Sequence, residues 1–230
     1  MNKDILPILA TSPLFAGILP AAAQSMLDCL QPKILHYDKT TYIASEDELF
    51  TGLGILLAGE AAVIKENAAG TRSVLTVISA GDMFGEMIAF STRQTWPASV
   101  VAQTNCSVVF LPPQKITGEC SNLCGSHQKL IRNLLQILSE KAIILNRKVE
   151  YLSIRSLRAK IATYLLEQYK EAEETTFVLP LNRSNLADFL SASRTALSRE
   201  MGRMRDEGLI EFYRSSIKII ALDKLNKAVE

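Results

Sequence analysis

Between residues 33 and 111 the chain alternates short apolar runs with turn-forming residues. Runs at 33–37, 41–43, 54–57, 61–64, 73–78, 98–102 and 106–110 are rich in Val, Ile, Leu and Ala, broken by Ala58-Gly59, by 67–70 and by Ala80-Gly81-Asp82. Strands this short and this evenly spaced predict a sandwich or barrel. Two helical stretches precede them, 5–18, which Pro13 interrupts, and 21–30. They are expected to cover one end of that barrel. From 128 to 153 the period changes. This stretch holds no Pro or Gly, and Ile131, Leu138, Leu145 and Leu152 repeat at heptad spacing beside a second line of Leu130, Leu134, Ile137 and Ile144. A helix apolar along two lines needs two partners. The expected arrangement packs one line on its own β-domain and the other on the same helix of a second copy, giving a two-fold homodimer.

The pattern after residue 181 is the most specific in the chain. Asn182 is placed to cap a short helix with Leu186, Ala187, Phe189 and Leu190 as its apolar residues, and Ser193 to cap a second helix after a tight turn. On that second helix Leu197, Met201 and Met204 fall on one face, and Arg194, Thr195, Ser198, Arg199 and Gly202 on the other. Two β-prone segments follow Gly208, at 209–213 and 217–220, with Arg214-Ser215-Ser216 as the turn between them. Helix, turn, helix and hairpin make a winged helix-turn-helix. An outward face of Arg, Thr, Ser and Arg suits the DNA major groove, where Arg pairs bidentately with guanine.

Charge adds little to this picture. The chain is +1 overall, with 12 Lys and Arg against 13 Asp and Glu before residue 151 and 13 against 11 from there on. Affinity for DNA therefore has to come from local clustering of Arg183, Arg194, Arg199, Arg203, Arg205 and Arg214. No apolar run reaches the roughly 18 residues of a membrane span, and the N-terminus has no secretory pattern, so no membrane partner and a cytoplasmic location are expected. No phosphate-binding glycine loop, paired metal-binding histidines or nucleophile elbow is present, and two histidines offer little acid–base chemistry. The chain is not expected to be an enzyme.

A β-roll, a long dimer helix and a C-terminal winged helix-turn-helix, in this order over essentially the whole chain, resemble the CRP/FNR family of bacterial transcription regulators. The motifs that carry the resemblance are Gly81-Asp82-Met83-Phe84-Gly85-Glu86-Met87 and Ser193-Arg194-x-x-x-Ser198-Arg199. The resemblance implies an α+β protein with an N-terminal β-roll of jelly-roll type (1–127), a dimerisation helix (128–153) and a DNA-binding domain (154–230). It implies double-stranded DNA, RNA polymerase and a small-molecule effector as partners. Arg194 and Arg199 would read bases or phosphates, with Thr195 and Ser198 beside them, and Arg183 and Ser193 would contact phosphates. Many members carry Glu where this chain has Thr195, so its operator is expected to differ from theirs.

In the β-roll, the step from Gly85 to Glu86 into a short helix suits an anion and a ribose hydroxyl. In cyclic-nucleotide-binding relatives a downstream Arg neutralises the phosphate; that position holds Trp96 here, and the helix positions that face the adenine hold Lys141 and Ala142. A buried phosphate without a cation is costly, so cyclic AMP is not expected as effector. A small anion between Trp96 and Lys141, over Gly85, Glu86 and Met87, is the expectation in its place. Redox, haem or metal sensing remains an alternative within the family. An iron–sulfur cluster is not expected, because only Cys29 lies near the N-terminus; Cys120-x-x-x-Cys124 with His127 is a loose ligand pattern, and only His36 and His127 are available to haem. A further alternative is a ligand-binding regulator whose C-terminal domain binds protein.

Overall fold

A computed structural model of the chain describes residues 5–67, 69–118 and 125–229. Its first part runs α1 (Leu6–Leu9), a 3-10 turn (Pro13–Phe15), α2 (Pro20–Leu30), β1 (Lys33–Tyr37), β2 (Tyr42–Ala44), β3 (Leu53–Ala58), β4 (Glu60–Glu66), β5 (Arg72–Ser79), β6 (Met83–Phe84), α3 (Glu86–Ala89), β7 (Ser99–Ala102), β8 (Cys106–Leu111), α4 (Pro113–Thr117) and α5 (Gly125–Ser153). The second continues with α6 (Leu157–Ala172), β9 (Thr176–Val178), α7 (Arg183–Phe189), α8 (Arg194–Asp206), β10 (Ile210–Tyr213), β11 (Ser216–Ile219) and α9 (Leu222–Lys227). The chain forms two compact units that divide inside α5, between Glu140 and Lys141.

The first unit holds two antiparallel sheets, ordered β1-β8-β3-β6 and β2-β7-β4-β5. The middle strands β8 and β3 of the β1-β8-β3-β6 sheet are covered on both faces, which explains why β3 reads as an unbroken apolar run instead of an alternation. Leu53, Ile55, Leu57, Val109 and Leu111 pack on one side with Leu9, Met26, Leu27, Ile116, Leu130 and Leu134 from the helices. On the other side Leu56, Val108 and Phe110 meet Ile43, Ala61, Ile78, Val100 and Ala102 of the second sheet, so that the roll is filled from within. Asn133 pins α5 to the N-terminal segment: its buried Nδ2 donates to the Leu14 and Ala16 carbonyls at 3.0 and 2.9 Å. Along α5, Leu130 and Leu134 are buried, whereas Ile144, Leu145 and Leu152 are more than half exposed.

In the second unit α6, α7, α8 and the sheet β10-β11-β9 enclose one core of Tyr151, Ile161, Leu165, Leu186, Leu197, Met201, Met204, Ile210 and Ile217. The hairpin pairs Tyr213 with Ser216, so its turn is Arg214-Ser215, one residue shorter than the sequence pattern suggests. Arg214 takes a positive φ of 54° there. The helix α6 and the short strands β6 and β9 have no counterpart among the elements the sequence pattern predicts. Among the described residues no helix is long and apolar enough to cross a membrane.

Candidate functional site

The outward face of α8 is built by its caps and its core. Ser193 Oγ accepts the Ala196 amide at 3.1 Å and Asn182 Oδ1 accepts that of Asn185 at 2.9 Å, so both helices of the motif start where their cap residues predict. Leu197, Met201 and Met204 are fully buried, which rotates Arg194, Thr195, Ser198 and Arg199 into solvent. At the far end Gly208, at φ +74°, ends the helix: its amide bonds to the Arg205 carbonyl and that of Leu209 to the Met204 carbonyl, both at 2.9 Å. This is a Schellman closure, which needs the left-handed residue glycine supplies.

Arg183 is placed differently from the outward arginines of α8. It is half-buried against the wing, with its guanidinium 5.0 Å from the centre of the Phe212 ring and Nη2 donating to the Arg214 carbonyl at 3.3 Å. Burial lowers its pKa from the usual guanidinium range. Arg205 lies over the same ring at 5.6 Å, so Phe212 is held by a cation from α7 and another from α8. The expected phosphate contact is thus engaged with the wing.

A second set of charges ties α8 to α6. Arg158 Nε donates to Glu200 at 2.7 Å, while Nη1 and Nη2 donate to the two carboxylate oxygens of Glu207 at 2.7 and 2.6 Å. The hydrogen bonds to Glu207 and Glu200 raise the Arg158 pKa, and that to Arg158 lowers the pKa of Glu207. At the other end of α6, Glu167 pairs with Arg147 of α5 and accepts from the Tyr151 hydroxyl at 2.7 Å. Burial and the bond to Glu167 push the Tyr151 phenol up. Nothing in the sequence pattern marks Arg158, Glu200 or Glu207, which are isolated charges until the fold brings them together.

The roll motif is turned inward. Gly85 precedes α3 at φ +83°, and a Cβ there would lie 2.9 Å from ring atoms of both Phe50 and Trp96. Trp96 is 3 % exposed, with its ring centre 4.7 Å from that of Phe50 and 5.9 Å from that of Phe84. Its backbone is fixed on both sides, the amide donating to Glu48 at 2.9 Å and the carbonyl accepting from Asp47 at 3.0 Å. The aromatic wall expected beside a small anion is therefore a core ring with no open face. Glu86 is 6 % exposed and Met87 is 56 % exposed, so the two successive residues point to opposite environments. Arg93 is exposed and reaches Asp47 at 3.4 Å. Lys141, half-buried, opens the second unit.

Cys120 and Cys124 lie outside the described residues. His127 is buried with Nε2 3.2 Å from the Lys115 carbonyl, and His36 is exposed with Nδ1 2.8 Å from Ser107 Oγ; the Cys106 thiol is buried with Sγ 3.2 Å from the Glu60 carbonyl. Among the described residues no three His, Cys, Asp or Glu side chains are grouped to hold a metal ion.

Comparison with known proteins divides the chain in the same way. Residues 34–122 match the cyclic nucleotide-binding domain, and residues 159–228 match the Crp-like helix-turn-helix domain. The cAMP-activated global transcriptional regulator CRP of Pasteurella multocida is 24 % identical over 79 % of this chain and 86 % of its own length. The probable transcriptional regulator flp of Lacticaseibacillus casei is 24 % identical over 92 % of this chain and 93 % of its own. Among solved structures, the Thermus thermophilus catabolite activator protein superposes with a TM-score of 0.55 at 20 % identity, covering 95 % of this chain and 98 % of that one. DNR from Pseudomonas aeruginosa gives 0.50 at 20 % identity, with 99 % and 98 % covered.

Proposed function

Because the chain belongs to the CRP/FNR family of DNA-binding transcription regulators, we propose that it works as a homodimer reading an operator through the outward face of α8, under a β-roll that does not take cyclic AMP. The observation that carries the first half is the presentation of α8. Arg194 and Arg199 project from a capped helix whose opposite face is fully buried, which is how a recognition helix enters a major groove. Thr195 and Ser198 supply hydroxyls between them, and Ser193 sits at the helix start, where a phosphate is favoured. Arg183 supports this surface by holding the wing.

The dimer reading rests on α5. Ile144, Leu145 and Leu152 expose apolar surface that the second unit leaves uncovered, and burying the exposed half of each such side chain gains about 1 kcal/mol. Paired α5 helices would set two recognition helices about one DNA turn apart. Ile144→Glu with Leu145→Glu should give monomers in sedimentation; an unchanged dimer refutes this interface.

Against cyclic AMP stands the plug formed by Trp96, Phe50 and Phe84 over Gly85. The relative from Pasteurella multocida is activated by that nucleotide, but in this chain the indole packs on the turn that leads into α3, and a ligand phosphate placed there would meet an apolar ring in place of a cation. An effector of the roll has to reach Glu86 or Met87 around this ring or displace it. The boundaries we assign are 1–127, 128–153 and 154–230, with RNA polymerase as the downstream partner. The direct test is selection of duplexes from a randomised library by the full chain. Tight binding that falls steeply with salt supports the reading, and absence of salt-sensitive binding refutes it.

A further inference from the structure

We propose that Arg158 is a positioning residue that fixes the tilt of the recognition helix and so makes the dimer selective for one spacing between its two half-sites. The inference rests on the dimer reading above. One guanidinium bonds two carboxylates on the same helix, Glu200 in its middle and Glu207 at its C-terminal cap. Those residues are about two turns, or roughly 10 Å, apart along α8. One anchor would leave a helix free to pivot about it, whereas two anchors held by one rigid planar group define the direction of the axis. The Glu200 side chain is only 14 % exposed, so this end of the clamp is shielded from solvent competition.

The clamp continues through α6. Glu167, on the same helix as Arg158, accepts from Tyr151 and pairs with Arg147, both on the last turns of α5. Tyr151 is also packed against Phe189 of α7, with ring centres 4.8 Å apart. The apolar end of α5 is thereby linked to α6 by Glu167, and α6 to the recognition helix by Arg158. In a dimer formed along α5, this linkage carries the position of the dimer axis to each recognition helix. Stiffness in it becomes a fixed distance between half-sites.

The probe is a duplex selected from a randomised library by the full-length chain, together with the same duplex lengthened or shortened by one base pair at its centre. The wild-type dimer is expected to lose about tenfold or more on the altered spacers, the scale of one mismatched base pair. In Arg158→Met, and in the milder surface variant Glu207→Gln, that loss is expected to shrink to about twofold or less while sedimentation and far-ultraviolet circular dichroism stay those of the folded dimer. Binding to the original duplex weakens in both, but a merely structural loss would lower all spacers by one factor and leave their ratio unchanged. A folded, dimeric Glu207→Gln protein that discriminates the spacers as steeply as wild type overturns the proposal alone. A monomeric wild-type chain overturns the dimer reading and the proposal with it.

Discussion

The start of α8 and the turn before α3 are both conspicuous in the sequence, yet one faces solvent and the other faces the core. Arg194, Thr195, Ser198 and Arg199 are exposed, because Leu197, Met201 and Met204 take the buried face. Trp96 and Glu86 beside Gly85 are 3 % and 6 % exposed. The difference lies in what surrounds each turn. A helix with one apolar stripe can have only that stripe buried, so its opposite face is legible from the spacing of the apolar residues alone. The turn before α3 is enclosed on the side of Trp96 and Glu86 and open on that of Met87, and a single Trp in its neighbourhood decides whether the space above it is filled. Motif strength therefore draws attention to both turns but decides the exposure of only one.

The contrast is broken most severely by emptying the roll. Trp96→Ala should cost about 3–5 kcal/mol in urea denaturation followed by circular dichroism, the range for a buried aromatic. Ser198→Ala on α8 should stay within about 0.5 kcal/mol of wild type in the same assay. A small cost for Trp96→Ala would mean that the ring is not a core element. On the DNA side the order reverses. Arg194→Ala should lose about 1–3 kcal/mol on the selected duplex with an unchanged urea midpoint, if its guanidinium reads a guanine. Equal losses on random duplex would make it a phosphate contact instead.

Trp96 is the sole tryptophan of the chain, so its fluorescence reports this ring alone. Its emission is expected to be that of an apolar environment and to stay constant through micromolar cyclic AMP. A saturable change with the nucleotide would overturn the plug. The smallest effect is at Glu207, whose folded pKa lies below its usual 4.5 because Arg158 donates to it. A carboxylate held down in this way contributes stability above its ordinary pKa and loses it as pH falls through the folded value. Denaturation midpoints taken below about pH 4.5 should decline less in Glu207→Gln than in wild type, by a small margin because the group is solvent-exposed.

Much of the fold is readable from the sequence because its signals are local. The strands of the roll show as short apolar runs between turns, and Asn182, Ser193 and Gly208 mark the helix ends where their caps form. What escapes a local pattern depends on partners distant in sequence. β9 is three residues long and exists through its pairing with β11, Phe177 opposite Ile217; β6 is two residues paired to β3. Arg183 is expected from the resemblance as a phosphate contact, and only the wing folding back with Phe212 shows it engaged there. The link of Arg158 to Glu200 and Glu207 spans more than forty positions in sequence, beyond the reach of any local pattern.

β5 lies outermost in its sheet and exposes Val74, Leu75 and Val77, the combination of free backbone and apolar side chains that templates sheet growth between molecules. Its ladder with β4 is interrupted there: Val63 pairs with Thr76 and Ile64 with Val74, which leaves Leu75 as a bulge. A bulge bends an edge and increases its twist, so a neighbouring molecule meets only short stretches of aligned amides and carbonyls. One extra residue thus works against fibre-like growth along this edge.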